Sequence, residues 1–271
     1  MKRHGVHRFG IASIIAALLV GCATTPITGR RQLNFIGEAQ EVQLGMTEFE
    51  KLKSTTPISD DPEANALVER VGRKIAAVAS GDLEHAQWEF VVFESEQPNA
   101  FCLPGGKVGI YTGILPITKD EAGLATVIGH EVAHAAARHG GERMSRAMAA
   151  QTGGQILGVA LSGSDPRVQS LFQLAYPIGA QVGLLLPHDR MQEAEADRMG
   201  LIYMARAGYN PQAAVEFWKR FAAYNQTKGG GGPPAFLRTH PVDEVRIENL
   251  KQWLPEAMAE YRTDVISSPA P

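Results

Sequence analysis

The most constraining feature of the chain is the run GHEVAHAAARHGGERMSR at residues 129–146, with three histidines and two glutamates among mostly small residues. Its first part places His130, Glu131 and His134 in the H-E-x-x-H spacing. Successive helical residues are rotated by about 100°, so the two histidines share a face and can bind one metal ion. Glu131 is rotated away from that face, where it can act on an attacking water. The spacing predicts a helix with two metal ligands and a general base.

His139, the third histidine of this run, is a candidate for a further ligand. A catalytic metal site of this kind needs three protein ligands and an open position for water. His139 lies five residues beyond His134, about 140° around the helix, so it is not expected to reach the same metal ion. The Gly140-Gly141 pair favours a helix end here, where the macrodipole stabilises an imidazole. We predict that His139 is a helix C-terminal residue and not a ligand.

A second segment, EAEADRMG from Glu193 to Gly200, supplies candidate carboxylates. Glu193 and Asp197 are four residues apart and share one helical face, whereas Glu195 points elsewhere. One of the pair could bind the metal ion while the other supports a histidine ligand from behind. Glu195 is expected to pair with Arg198 in solvent, because acidic helices usually present their charges to water.

The first 22 residues have the organisation of an export signal. A basic MKRHGVHR segment precedes the apolar run FGIASIIAALLVG, which ends at Cys22 and is too short to span a bilayer comfortably. Residues 19–22 resemble the bacterial lipobox, in which the cysteine is acylated and becomes the new N-terminus. Ala23 after the cysteine implies sorting to the outer membrane, with the acyl chains as anchor. An uncleaved N-terminal anchor is the alternative interpretation.

Charge and cysteine content restrict the partners. The formal net charge is −3, and removal of residues 1–21 with their three basic side chains makes it −6. The chain therefore lacks the excess of basic residues that would predict nucleic-acid binding. Cys22 and Cys102 are the two cysteines, so no intrachain disulfide is available once Cys22 carries lipid. A Cys22–Cys102 bridge is the competing interpretation, and otherwise Cys102 is expected to be a buried free thiol.

The order of predicted elements favours an α+β fold. Residues 118–121 form a capping box that opens the helix with the two histidines. Apolar, glycine-rich residues 151–187 are interrupted by polar ones and are expected to form buried or flap-like helices rather than a membrane span. Residues 228–234 indicate a flexible loop. The other expected elements are helices at about 38–52, 62–79, 189–207 and 211–225, a helix after Pro241, a strand in 88–95 and a hairpin in 99–113.

Three motifs, VIGHEVAHAAARHG, EAEADRMG and LRTHPVDEVRI, occur in this order, after a PNAFCLPGGKVGIYTGIL segment. Together they resemble the HtpX and CAAX-prenyl-protease superfamily of gluzincin zinc metallopeptidases. More narrowly, they resemble its soluble periplasmic lipoprotein branch, which is LoiP-like and similar to the BepA peptidase domain. The resemblance covers residues 26–253 and implies a mainly helical zincin-type domain with a small sheet beside the H-E-x-x-H helix. The implied organisation is a signal peptide at 1–21, a lipidated tether at 22–37, a zinc metallopeptidase domain at 38–255 and a C-terminal tail at 256–271.

The resemblance also implies a role for each matching residue. One zinc ion per subunit would be held by His130, His134 and Glu193. Glu131 would be the general base, and Asp197 a proton donor or the partner of a histidine ligand. His240 matches a histidine that approaches the metal, either as a movable extra ligand that masks the site or as a donor that stabilises an oxyanion.

The implied activity is that of a lipid-anchored endopeptidase on the periplasmic face of the outer membrane. Its substrates would be unfolded or misassembled envelope proteins, whose extended chains could add to a strand edge in residues 99–113. The outer-membrane assembly machinery is an implied partner. Two alternatives are a lipoprotein chaperone or assembly factor with a latent site, and a metal-dependent hydrolase acting on a non-peptide bond. For the hairpin at residues 99–113, the alternative to substrate binding is a purely structural role inside the domain.

Overall fold

The computed structural model describes residues 22–181, 185–227 and 234–262. The predicted signal peptide at 1–21 and nearly all of the predicted loop at 228–234 lie outside the described residues. Helices dominate the described chain and accompany two small sheets, which confirms the prediction of a mainly helical α+β fold. The chain divides into a smaller unit, residues 1–37 with 138–189, and a larger unit, residues 38–137 with 190–271.

The helices and strands have the following bounds in chain order. They are β1 Cys22–Thr24, β2 Arg31–Leu33, α1 Glu38–Thr55, α2 Pro62–Ala79, β3 Glu89–Phe93, β4 Ala100–Leu103, β5 Lys107–Tyr111, α3 Leu115–Thr118, α4 Glu121–Ala136, α5 His139–Ala160, α6 Pro166–Ala180, α7 Leu186–Arg206, α8 Gln212–Thr227, α9 Ala235–Thr239 and α10 Glu244–Ala259. A short 3₁₀ turn, Thr112–Ile114, joins β5 to α3.

The larger unit contains a three-stranded sheet in the order β3-β5-β4. Strand β5 is parallel to β3 and antiparallel to β4, so the predicted strand and the predicted hairpin are both confirmed. Gly105 and Gly106 turn the hairpin with φ of 88° and 78°, a left-handed conformation that glycine adopts without steric cost. Strand β4 is an edge strand of this sheet and packs beside α4.

Helix α4 carries the H-E-x-x-H motif through the interior of the larger unit. Every residue from Gly123 to Ala136 is buried, and α2, α3, α8 and β4 pack around the helix. An apolar helix of this kind is stable only when it is covered on all sides. Its small residues, alanines above all, let the neighbouring elements approach closely, which excludes bulk water from the motif.

The predicted capping box at the start of α4 is wrong in its cap residue. Asp120 is the N-cap, and its Oδ1 accepts a hydrogen bond of 2.8 Å from the Gly123 N–H. Thr118 ends α3 instead, and its hydroxyl donates to the Leu115 carbonyl. The sequence pattern missed this because a short helix, α3, precedes α4 and uses the threonine locally.

The predicted position of His139 at a helix C-terminus is also wrong. Helix α4 ends at Ala136, and Arg138 then takes a left-handed conformation with φ of 53°. His139 is buried at the start of α5, and Gly140 and Gly141 lie inside that helix rather than stopping the preceding one. A positive φ at a non-glycine residue is uncommon, so the glycine pair was the natural but incorrect choice for the break.

The described part of residues 151–187 forms helices with exposed or partly exposed side chains, so the prediction of buried helices is wrong and the flap-like alternative stays a prediction. Among the described residues of α6 none is buried. Within the described ranges no helix is both long enough and apolar enough to cross a membrane. The apolar composition that suggested burial is instead presented on the outer surface of the smaller unit.

The segment after Cys22 forms a small antiparallel sheet, with Cys22 opposite Leu33. The Arg30 guanidinium reaches the fully buried Glu142 carboxylate of α5 at 2.7 Å, and the Phe35 N–H donates to the Ser145 hydroxyl at 2.8 Å. The region interpreted as a tether therefore includes two strands that are bonded to α5.

Two glycines set the separation of α4 and α7 in the larger unit. A Cβ atom added at Gly200 would lie 3.0 Å from the His130 backbone nitrogen, and one at Gly129 would lie 3.0 Å from the Gly200 oxygen. The two backbones therefore nearly touch beside the first histidine of the motif. This contact brings the acidic face of α7 to the imidazoles of α4.

We expect Gly200→Ala to lower the free energy of unfolding by about 1–3 kcal/mol, because the new methyl group meets backbone that cannot move without shifting a helix. Urea unfolding measures the loss. Gly140→Ala is the matched control, since its Cβ would meet nothing within 4 Å, and it should be neutral or stabilising by up to about 1 kcal/mol. Equal effects of the two substitutions would contradict the close packing of α4 on α7.

Candidate metal centre

Four side chains in the larger unit converge on one point. His130 and His134 come from α4, Glu193 from α7, and His240 follows the last residue of α9. One potential ligand atom from each lies within 4.8 Å of the others. The three histidines are buried, and Glu193 is partly buried. The local spacing of α4 supplies the first pair, and packing of α7 and of the segment after α9 supplies the others.

The separations of these atoms fit a single small metal ion. His130 Nε2 lies 3.1 Å from both His134 Nε2 and His240 Nδ1. The Glu193 carboxylate oxygens lie 3.2 Å from His134 Nε2, 3.4 Å from His130 Nε2 and 2.9 Å from His240 Nδ1. Four tetrahedral ligands at the usual zinc distances of about 2.0–2.1 Å are about 3.3 Å apart. The donor set therefore has the chemistry and spacing of a metal centre.

Asp197 orients the first histidine. Its Oδ1 lies 3.0 Å from His130 Nδ1, on the side of the ring opposite the converging atoms. A carboxylate in this position favours the tautomer that carries its proton on Nδ1, which leaves the Nε2 lone pair for a metal ion. Glu193 and Asp197 thus share a face of α7, and their side chains reach the converging atoms and the back of His130, respectively.

Arg246, on α10, holds this carboxylate in turn. Its Nε and Nη2 donate to the two Asp197 oxygens at 2.8 Å each, and its Nη1 donates to the Pro241 carbonyl at 3.0 Å. The guanidinium also stacks on Trp218, 3.5 Å from the ring centroid. One arginine therefore connects the support of His130 to the segment that carries His240.

Sequence reasoning assigned no role to Arg246, although it lies within the quoted LRTHPVDEVRI motif. Nothing in the local pattern separates it from a solvated arginine in the first turn of a helix. Its one sequence signal is the preceding Asp243, which caps α10 by accepting a hydrogen bond from the Arg246 N–H and so fixes where the helix begins. The pairing with Asp197 depends on how α10 packs against α7.

Burial and neighbouring charges shift the pKa values of three side chains at the centre. Burial disfavours the charged form of His130, but hydrogen bonds to Asp197 and Glu193 outweigh it and raise the pKa of this histidine to about 9. Burial alone would raise the pKa of Glu193, but the neighbouring histidines hold it well below its ordinary value. The Arg246 guanidinium likewise lowers the pKa of Asp197 against the effect of burial. Both carboxylates are therefore ionised and attract positive charge.

Glu131 is buried beside the converging atoms and is not one of the four. Its Oε1 lies 3.4 Å from His240 Nε2. Cys102 on the edge strand β4 is partly buried and is a free thiol. Burial raises the pKa of this thiol well above its ordinary value, and the nearby Glu131 carboxylate raises it further. A neutral thiol is a weak nucleophile, so the carboxylate is the reactive group of this pair.

Two other predictions concern residues near the motif. His139 is absent from the converging group, as predicted, among the residues that the structure describes. The predicted solvent position of Glu195 is wrong, because this side chain is buried, and Arg198 also binds Glu256 at 2.8 Å. Helix α10 packs close enough to α7 to supply this second carboxylate.

We expect Arg246→Met to reduce metal affinity by about 10- to 100-fold, since loss of a group that orients a ligand usually has this effect. It should also lower the free energy of unfolding by about 3–5 kcal/mol, because the Asp197 charge would remain buried without its partner. Competitive metal titration and urea unfolding measure the two effects.

Arg238→Met, an exposed change on α9, is the control and should alter neither quantity. The double variant Arg246→Met with Asp197→Asn should regain part of the lost stability, because no unpaired charge remains. Wild-type metal affinity in Arg246→Met would contradict the positioning role.

A helix with the H-E-x-x-H spacing, a carboxylate on a second helix and an edge strand beside them define a metallopeptidase-type site. The sequence model described as "Peptidase family M48" matches residues 62–254. The chain therefore belongs to peptidase family M48. This match confirms the metallopeptidase resemblance and the prediction of an enzyme.

Named relatives agree with this family. The chain is 36% identical over 242 residues to the mitochondrial metalloendopeptidase OMA1 of Schizosaccharomyces pombe, covering 88% of this chain and 68% of the relative. It is 32% identical over 276 residues to the protein of that name from Saccharomyces cerevisiae, covering 94% and 77%. It is 25% identical over 257 residues to the beta-barrel assembly-enhancing protease of Escherichia coli, covering 89% of this chain and 51% of that protein.

Proposed function

We propose that the protein is a zinc-dependent endopeptidase. The observation that carries the proposal is the convergence of His130, His134 and Glu193 beside Glu131. Two imidazole nitrogens and one carboxylate oxygen are a common ligand set of catalytic zinc. A bound zinc ion would polarise the scissile carbonyl and acidify the attacking water. A structural zinc site would have no use for a buried base next to its ligands.

The chain's own residues supply the remaining chemistry. Glu131 takes a proton from the attacking water on its carboxylate and then delivers it to the leaving amine. Asp197 acts as the support of His130 rather than as a proton donor, because Arg246 holds both of its oxygens. His240 is the remaining donor that could stabilise charge on the carbonyl oxygen once a substrate is bound.

His240 also supports a latent state of the enzyme. Its Nδ1 lies within 3.1 Å of ligand atoms on both His130 and Glu193, in the position that substrate or water would need. Four protein ligands close a zinc site, whereas catalysis needs an open position. The enzyme opens when His240 leaves this position. The second candidate function, a chaperone or assembly factor with a shut site, is favoured by the same contact.

The substrates are unfolded or misassembled polypeptides. Strand β4 is an edge strand that packs beside α4, so an extended peptide can add to it by main-chain hydrogen bonds. Recognition through the backbone selects for extended chains rather than for a particular folded surface. Acylation at Cys22, supported by the lipobox-like residues before it, would hold the enzyme on the periplasmic face of the outer membrane. The Escherichia coli relative is named a beta-barrel assembly-enhancing protease, which supports the proposal that this enzyme acts beside an assembly machinery of the outer membrane.

We expect His240→Ala to bind zinc through the remaining three ligands and to cleave casein about 10-fold faster or more than the wild-type full chain. The increase follows if the open state is populated at a few per cent before the substitution. Zinc content and casein cleavage are measured on the same preparation.

His85→Ala, an exposed histidine in the larger unit, is the matched control and should leave both quantities unchanged. Loss of cleavage in His240→Ala would make His240 catalytic and would contradict latency. Absence of cleavage in both proteins with zinc bound would favour the chaperone.

A further inference from the structure

Helices α5 and α6 of the smaller unit carry an unusual amount of exposed apolar surface. Among the residues whose burial the structure describes, fifteen large hydrophobic residues are exposed, and nine of them lie on these two helices. Four of them are on α6, where Val168 is 46% exposed, Leu171 67%, Leu174 71% and Ile178 66%. Soluble surfaces rarely present contiguous apolar patches of this kind without a partner.

The four α6 residues form one stripe. At about 100° per residue they fall within an arc of about 120° on the helix. Phe172 and Tyr176 lie on a different arc, which faces α5: the Tyr176 hydroxyl donates to the Ala150 carbonyl at 2.7 Å, and its ring lies against Gly154. Gln169 and Gln173 occupy a third arc. The stripe is therefore neither the contact with α5 nor the polar side of the helix.

The charge of the smaller unit differs in sign from that of the rest of the chain. Beyond residue 21 this unit has six arginines and three acidic residues, a formal balance of +3. The larger unit has 17 basic and 26 acidic residues, a balance of −9. An anionic surface attracts the unit with the apolar stripe and repels the unit with the metal centre.

The smaller unit also contains the point at which the chain meets its apolar N-terminal run. Cys22 begins β1 directly, and the Arg30–Glu142 and Phe35–Ser145 contacts bind this end of the chain to α5. The inference therefore rests on the proposed anchor: acylation of Cys22, or retention of the apolar run, would place a lipid bilayer next to this unit.

We propose that the α5–α6 pair docks on a bilayer surface containing anionic phospholipids, with the stripe of Val168, Leu171, Leu174 and Ile178 inserted at the boundary of headgroups and acyl chains. An amphipathic helix lies in this plane when it has a large apolar face beside a polar one, and basic residues strengthen its binding to anionic lipids. The docking acts in addition to the anchor and orients the smaller unit at the surface.

Tryptophan fluorescence of the full chain in vesicles tests this docking. Leu174→Trp places the probe in the stripe, and Gln173→Trp places a matched probe one residue away on the polar arc. The parent protein, with Trp88, Trp218 and Trp253 in the larger unit, supplies the background. The vesicles contain phosphatidylglycerol and phosphatidylethanolamine with brominated acyl chains, which quench tryptophan on contact.

The Leu174→Trp emission should shift to shorter wavelength and lose intensity in the brominated vesicles, while the emission of the Gln173→Trp variant should follow the parent. The effect should weaken in vesicles of phosphatidylcholine alone, because the electrostatic attraction is lost. Equal quenching of the two variants would overturn the proposal. A blue shift of Leu174→Trp that depends on protein concentration and not on lipid would assign the stripe to a second copy of the chain, and would overturn it too.

Discussion

Replacing Glu131 by glutamine should reduce casein cleavage by about 10²- to 10⁴-fold, the usual contribution of a general base. The amide has nearly the shape of the carboxylate but cannot accept a proton from water at neutral pH. Because Glu131 is not one of the four residues whose ligand atoms converge, the Glu131→Gln variant should bind as much zinc as the wild-type protein. Cleavage rates and zinc per chain, measured on one preparation, separate the loss of chemistry from the loss of metal.

The control for this substitution is Glu121→Gln, which changes a carboxylate in the first turn of the same helix. Glu121 is partly exposed and bonded to Arg70 and Tyr209, so its loss should affect cleavage little. Glu131→Asp is a second variant, in which the charge remains but the carboxylate is withdrawn, and it should retain an intermediate rate. Casein hydrolysis at the wild-type rate by Glu131→Gln would refute the assignment of the base.

Replacing Glu193 by alanine should remove zinc. Loss of a partner that only orients a ligand costs about 10- to 100-fold in affinity, so loss of the ligand itself should cost more. The substitution also removes the one carboxylate whose oxygens lie within 3.4 Å of ring nitrogens of all three histidines. We expect Glu193→Ala to lose its zinc during dialysis against a weak chelator that leaves wild type loaded, and to have no peptidase activity.

Glu195→Ala provides the comparison, because it removes a carboxylate two residues away on the same helix. Glu195 lies about 200° around α7 from Glu193, so its side chain points away from the face that Glu193 and Asp197 present to His130. It should therefore retain zinc, although its burial predicts some loss of stability. If Glu195→Ala lost zinc and Glu193→Ala retained it, the ligand assignment would have to be exchanged.

Much of the architecture was predictable because it depends on short-range spacing. Pro62 after Asp61 marked the start of α2, and Pro104-Gly105-Gly106 marked the β4–β5 turn, since each residue type favours one local backbone geometry. The predictions failed where a neighbouring element competed. Thr118 serves α3 rather than α4, and Arg198 has a second carboxylate partner, Glu256 of α10.

Exposure was the least predictable property. The stretch around α6 has the composition of a buried helix, and its amphipathic stripe is visible in the sequence once the helix is known. Whether a stripe packs on a core or remains on the surface depends on what lies opposite it in three dimensions. In the described structure Phe172 and Tyr176 of α6 lie against α5, and the stripe stays exposed.

The sequence by itself determined that His130, Glu131 and His134 lie together as candidate ligands and base, because one turn of a helix brings them together. Only the tertiary structure decided how the centre is completed. Glu193 and His240 arrive from distant segments through the packing of α7 on α4 at Gly129 and Gly200 and through the Arg246 contacts to Asp197 and Pro241. Helical periodicity acts over four residues, whereas such contacts depend on side chains that meet only when the whole core is packed.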